Sequence, residues 1–316
     1  MIDYVLRMTL FDRPASRRTV LTALAAAAAA GAPLVGQLAG AEPAYATGEN
    51  DLYDTNTDLY TSTNHPVVEG TDYGRRYKLH PQQDQYLSRK EPFKKTAIMA
   101  IHGGQIERGT SELCLAIAGY NPADVNAALA TTTYDYWMFE GMRSANNSEL
   151  HVTSVNCDDH VARGLAATHL NVLSLHGCQY NQLGFPDTMV WPSQSDPKLV
   201  VVGGLNKTFR EALVRELKTA GFPALDALSD EWRDRYGLAD FAGAVQDNIC
   251  NRTAIGAGAQ LEITEDMRRS LFGPLENDFD WKSGRLATWD DNPRFTAFTD
   301  ACRRAIATVE AGQTIL

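Results

Sequence analysis

The chain predicts an α/β domain built on a mixed, largely parallel sheet flanked by helices. Short apolar runs of strand length recur at Ala97 to Ile101, Tyr134 to Phe139, Leu170 to Leu175, Leu199 to Val202 and Gln260 to Ile263, several bounded by Gly, Asn or Asp. Stretches with helical spacing lie between and after them, at Ser111 to Ala118, Asn206 to Ala220 and Asn292 to Val309. Strands that alternate with helices make a sheet covered on both faces, and function in such sheets gathers at the carboxyl ends of strands. The third bound is size: 316 residues with 44% apolar content suffice for one sizeable core, so a single catalytic domain is the default.

Taken in order, residues 1–46 read as an export signal. Arg17 and Arg18 precede an uncharged, alanine-rich stretch that runs to Ala41, and Ala44-Tyr45-Ala46 offers an A-x-A cleavage site. Gly31, Pro33, Gly36 and Gln37 make that stretch a poor retained anchor, so the expectation is a protein secreted by the twin-arginine route, with no stable membrane association afterwards. Residues 47–67 are polar and turn-rich and are expected to be a flexible linker. The catalytic domain is expected over 68–316. Within it the last helical stretch repeats Phe295, Phe298, Cys302, Ile306 and Val309 three or four apart, one buried stripe. Gln179 to Pro197, rich in Gln, Asn, Pro and Ser, reads as a loop over the site.

Charge narrows the partners. The net charge is −10 with no clustered basic stripe, which argues against nucleic acid and anionic membranes and leaves a small molecule, peptide or polymer. The 5 cysteines show no C-x-x-C spacing, so a thiolate zinc site is not expected; they read as buried apolar residues or one bridge, with an odd thiol left over.

Three strands end in residues that chemistry can use. The run at Ala97 to Ile101 leads into His102-Gly103-Gly104-Gln105-Ile106-Glu107, where two glycines let the backbone fold so that His102 and Glu107 converge. The run at Leu170 to Leu175 leads into His176-Gly177. Two imidazoles and a carboxylate suit catalytic zinc with a fourth position left for water. Glu262, between Leu261 and Ile263, stands where a carboxylate could accept a proton from that water. Spacing alone leaves structural histidines and an ion-paired glutamate as open alternatives.

A wider set of ordered segments is more specific. Gly70-Thr71-Asp72-Tyr73, the run from Ile101 to Leu113, Phe139-Glu140-Gly141, Asn146-Asn147-Ser148, Leu150 to Ser154, Ser174 to Gly177, Val202 to Asn206, Asn251-Arg252 and Gln260 to Ile263 follow one another along the chain. This set resembles the phage-type poly-γ-glutamate hydrolase family, many of whose members carry phage-related replication names. The resemblance implies a zinc-carboxypeptidase-like fold and hydrolysis of γ-glutamyl amides. It implies zinc held by His102, Glu107 and His176, and Glu262 as general base. It implies an anionic γ-linked glutamyl polymer or peptide as partner, for which Arg210, Asn251, Arg252 and His151 are the candidate contacts, since guanidinium groups fork carboxylates. One segment departs: where relatives read Thr-Ser-Thr-His-Phe-Asp-Glu-Pro, this chain has Thr153-Ser154-Val155-Asn156-Cys157-Asp158-Asp159-His160, with Asn156 at the family's histidine. Competing expectations are a zinc amidase or carboxypeptidase acting on cell-wall peptides or N-acyl amino acids, and a secreted binding protein without turnover.

Overall fold

The computed structural model describes residues 51–80, 94–275 and 277–314; the export signal expected at 1–46 lies outside them. All five expected strands and all three expected helices form. In chain order the elements are α1 (Asn56–Thr61), β1 (Tyr73–Lys78), β2 (Thr96–Gly104), α2 (Thr110–Ala118), β3 (Asp135–Gly141), α3 (His160–Thr168), β4 (Asn171–Cys178), β5 (Val200–Gly203), α4 (Lys207–Thr219), β6 (Ala224–Asp226), α5 (Leu238–Phe241), β7 (Ala259–Thr264), α6 (Glu265–Arg269), α7 (Asp278–Ser283), α8 (Arg285–Thr288) and α9 (Pro293–Ala311).

Among the described residues, seven strands pair in the order β1-β3-β2-β4-β7-β5-β6. β3, β2, β4 and β7 run parallel, as do β5 and β6, while β1 joins β3 and β5 joins β7 antiparallel. The central strands are buried on both faces, which is why they read as continuous apolar runs in the sequence. Their period of two divides the core. Ile98 and Ala100 of β2, Leu173 and Leu175 of β4 and Leu261 and Ile263 of β7 face the layer formed by α2, α4 and α9. Ala97, Met99 and Ile101 of β2 and Val172 of β4 face the other layer, with Leu165 and Ala166 of α3. That alternation sends Ser174 and His176 of β4, and Gln260 and Glu262 of β7, to this second face.

The linker expectation for 47–67 is corrected over its described part. Thr55 caps α1 by accepting from Asp58 N, and Tyr53 and Leu59 sink into the second layer beside Tyr73, Trp137 and Phe139. Polar composition hid two apolar anchors: full burial of a side chain such as Leu59 contributes about 1.5–3 kcal/mol, enough to hold a short segment down. The 5 cysteines are all buried, and burial pushes the Cys157 thiol up to about 12.

Candidate metal centre

Two strand ends and one turn meet at the carboxyl edge of the sheet. Strict alternation along β2 would send His102 to the face of Ile98 and Ala100. A register irregularity between Ala100 and Gly103 breaks that alternation and turns the imidazole toward β4. The chain then reverses: Gly104 adopts φ +65°, where an added Cβ would stand 2.4 Å from Gly141 O, and Glu107 N donates to His102 O at 2.9 Å. His102 Nδ1 lies 2.8 Å from Glu107 Oε1 and 3.3 Å from His176 Nδ1, and His176 Nδ1 lies 4.0 Å from Glu107 Oε2. Ligands about 2.0–2.1 Å from a tetrahedral zinc stand roughly 3.3–3.4 Å apart; the two Nδ1 atoms stand at that separation, and the Glu107 carboxylate, bonded to His102 through one oxygen and facing His176 through the other, lies close enough to join them.

The remaining ring nitrogens point the ligands. His102 Nε2–H donates to Val152 O at 2.9 Å, and His176 Nε2 faces Ser174 Oγ at 2.9 Å. The carbonyl fixes Nε2 of His102 as a donor and turns its Nδ1 toward the centre, the arrangement that orients metal-bound imidazoles, while the Ser174 hydroxyl holds the ring of His176 in place. His151 joins the group: a ligand atom from each of His102, Glu107 and His151 lies within 4.8 Å of the others, and its ring stacks on His102 at 3.8 Å between centroids. Its Nδ1–H donates to Asp51 Oδ1 at 2.6 Å, while Asp51 Oδ2 accepts from Thr153 N.

Charge is organised to keep this donor set available. Burial opposes ionisation of Glu107, but His102 more than offsets it and the carboxyl falls to about 2. Burial likewise opposes protonation of His102, and the Glu107 charge prevails, so its pKa is raised. Burial lowers His176 to about 3, and burial with the neighbouring His102 lowers His151, so both rings are neutral. A proton shared between His102 and Glu107 occupies the position a cation would take.

Glu262 completes the constellation. It is the cross-strand partner of His176, buried on the same face, and it accepts from Gln260 Nε2 at 3.0 Å. Burial, then the charge on Glu107, raises its pKa well above the ordinary carboxyl value. His102, Glu107, His151, His176, Gln260 and Glu262 line one cavity of about 250 Å³, shared with residues of the 239–245 segment. Gln179 and Gln182 from the expected loop, and Thr153, Ser154 and Val155 from the segment that departs from the family pattern, also line it. Among the described residues lining the cavity there is no lysine or arginine.

The model of the family described as poly-gamma-glutamate hydrolase matches residues 77–301. The chain belongs to this family. Among its relatives is UPF0714 protein YndL of Bacillus subtilis (strain 168), 33% identical over 215 residues, a span covering 68% of each chain. A solved bacteriophage poly-gamma-glutamate hydrolase is 26% identical with a TM-score of 0.60, covering 83% of this chain and 100% of that one. A zinc-free YndL structure is 29% identical with a TM-score of 0.58, covering 82% and 98%.

Of the expected substrate contacts, His151 lines the cavity and Arg210, Asn251 and Arg252 do not. Arg210 is buried, its Nε on Asp226 at 2.8 Å and its Nη1 on Gly204 O at 2.6 Å. Arg252 donates to Asp247 O at 2.9 Å, outside the cavity. An internal acceptor lies within reach of each guanidinium, and each folds onto it. Asn251 is fully buried and donates to Gly243 O and Val245 O, both at 2.8 Å, so it shapes the cavity wall from behind. Asp51, Ser174 and Gln260 were not anticipated. Ser174 and Gln260 sit two residues before His176 and Glu262, so strand period alone places them on the same face. Asp51 left no comparable signal.

Proposed function

We propose that this chain is a secreted, zinc-dependent hydrolase of γ-glutamyl amide bonds, with poly-γ-glutamate as substrate. The observation that carries the proposal is the convergence of His102 Nδ1, His176 Nδ1 and the Glu107 carboxylate beside buried Glu262. Membership of the family and likeness to a bacteriophage poly-gamma-glutamate hydrolase support the bond class. A donor set of two imidazoles and a carboxylate suits zinc, which when bound supplies a Lewis acid and lowers the pKa of water toward neutrality. Glu262 accepts the proton of the attacking water and returns it to the departing amine nitrogen; its raised pKa in a dry site suits both halves of that task. Gln260 fixes the carboxylate, Val152 O holds His102 in the ligating tautomer, and Ser174 orients the ring of His176. Gln182 offers its amide to a substrate carboxylate along the cavity, while the amides of Asn248 and Gln179 are bonded to Gln260 and Glu265.

One observation favours a second reading. A cavity lined by Asp240 and Glu262 and by no described lysine or arginine suits a substrate less anionic than the polymer, such as a cell-wall peptide or an N-acyl amino acid. Product analysis of poly-γ-glutamate against peptidoglycan fragments and N-acyl glutamates separates the two. Shortening of the polymer is expected, and an intact polymer beside cleaved wall peptides would move the substrate to the second class. Secretion rests on the twin arginine and the A-x-A site in residues 1–46. Amino-terminal sequencing of protein from the medium is expected to begin at Thr47, and retention of the leader in the cell fraction contradicts it.

A further inference from the structure

The amino edge of the sheet carries a second group of ligating side chains. Asp135 opens β3, His169 stands between α3 and β4, and His80 follows β1, whose Lys78 pairs with Tyr136 at the same edge. One donor atom of each lies within 4.8 Å of the others. His80 Nδ1 is 2.6 Å from Asp135 Oδ2, and His169 Nε2 is 3.3 Å from that oxygen. The other oxygen, Oδ1, accepts from His80 N at 2.9 Å.

His169 is the informative member. It is 1% exposed, and its Nδ1–H donates to Leu165 O at 2.7 Å, which turns Nε2 toward Asp135. That nitrogen is aimed at a carboxylate oxygen, yet no hydrogen bond reaches it from the described residues. A positive charge here, a proton on the imidazole or a metal ion in its place, joins the two buried groups. A backbone carbonyl behind the imidazole is also the usual orienting partner of a ligating histidine.

We infer that His80, Asp135 and His169 form a second cation site, selective for zinc or a similar transition ion. Two imidazoles and a carboxylate disfavour magnesium and calcium, which take oxygen ligands. The side chain of His80, 13% exposed, is the group of the three nearest to solvent. His169 lies just before β4 and His176 near its far end, so Asn171 to His176 alone spans roughly 16 Å at strand rise, whereas two-metal catalysis needs ions about 3.5–4 Å apart. The site therefore ties the end of β1, the start of β3 and the entry to β4 together, and zinc stabilises the native state through it.

The test is zinc titration of the chelator-stripped protein, with bound metal measured after gel filtration. Two equivalents are expected in the parent. His80→Gln is expected to bind one and keep its hydrolytic activity, and His102→Gln with His176→Gln to bind one and lose it. Cobalt in the latter variant is expected to give the visible bands of nitrogen and oxygen ligation. A parent that binds one equivalent, or a His80→Gln protein that still binds two, overturns the site without touching the centre at His102.

Discussion

At the scale of single residues, the chemistry of the centre depends on which nitrogen of each histidine faces inward. His102 carries a proton that Glu107 stabilises, and metal can enter only as that proton leaves. The sign follows: below the raised pKa of His102 the stripped protein holds the proton, so zinc affinity falls as pH falls, by about tenfold per unit for one proton displaced. Calorimetry in buffers of different ionisation enthalpy is expected to read about one proton released per zinc. Asp51 acts one step further out, holding His151 and Thr153 N together. Asp51→Asn is expected to lower activity or zinc affinity by about 10–100-fold, with circular dichroism unchanged; parent-like values would assign that carboxylate to packing alone. The convergence of His102, Glu107, His176 and Glu262 could be expected because each lies within a strand or shortly after one. That of Asp51 could not, because its contact spans 100 residues and nothing local marks it. For Arg210 and Arg252 the sequence is silent on a different point: a guanidinium can serve a substrate carboxylate or an internal oxygen, and only the fold shows that an internal acceptor lies within reach.

At the scale of elements, the fold was legible where burial is two-sided. β2, β4 and β7 are continuous apolar runs, and their parallel pairing sets His176 opposite Glu262. β1 and β6 escaped notice because they are the two edges of the sheet. β1 turns mostly outward, with Arg75, Arg76 and Lys78 among its residues, and β6 spans only 3. The irregularity in β2 that turns His102 was equally invisible, since two adjacent glycines permit a bulge without locating it. α1 was misread because the segment's polarity outweighed two buried side chains. Its anchoring is measurable: Leu59→Ala, at a fully buried position, is expected to cost about 2–5 kcal/mol in denaturant unfolding. A cost below about 0.5 kcal/mol, typical of surface positions, would return the segment to the status of a linker.

At the scale of the whole molecule, one sheet presents two chemically different edges. The carboxyl edge gathers His102, His176 and Glu262 over a cavity, as expected for an open α/β sheet. The amino edge gathers His80, Asp135 and His169, a grouping no single run of sequence displays because it joins the ends of three strands. The measurement that tests the central claim most directly follows hydrolysis and bound zinc together, in the parent and in Glu262→Gln, as the stripped proteins are reloaded. The account predicts that activity of the parent returns with occupancy of the His102 centre. It also predicts that Glu262→Gln takes up the same zinc yet turns over about 100- to 10,000-fold more slowly, the loss expected for a missing general base. A stripped protein that keeps full activity, or a loaded Glu262→Gln that matches the parent, would contradict it.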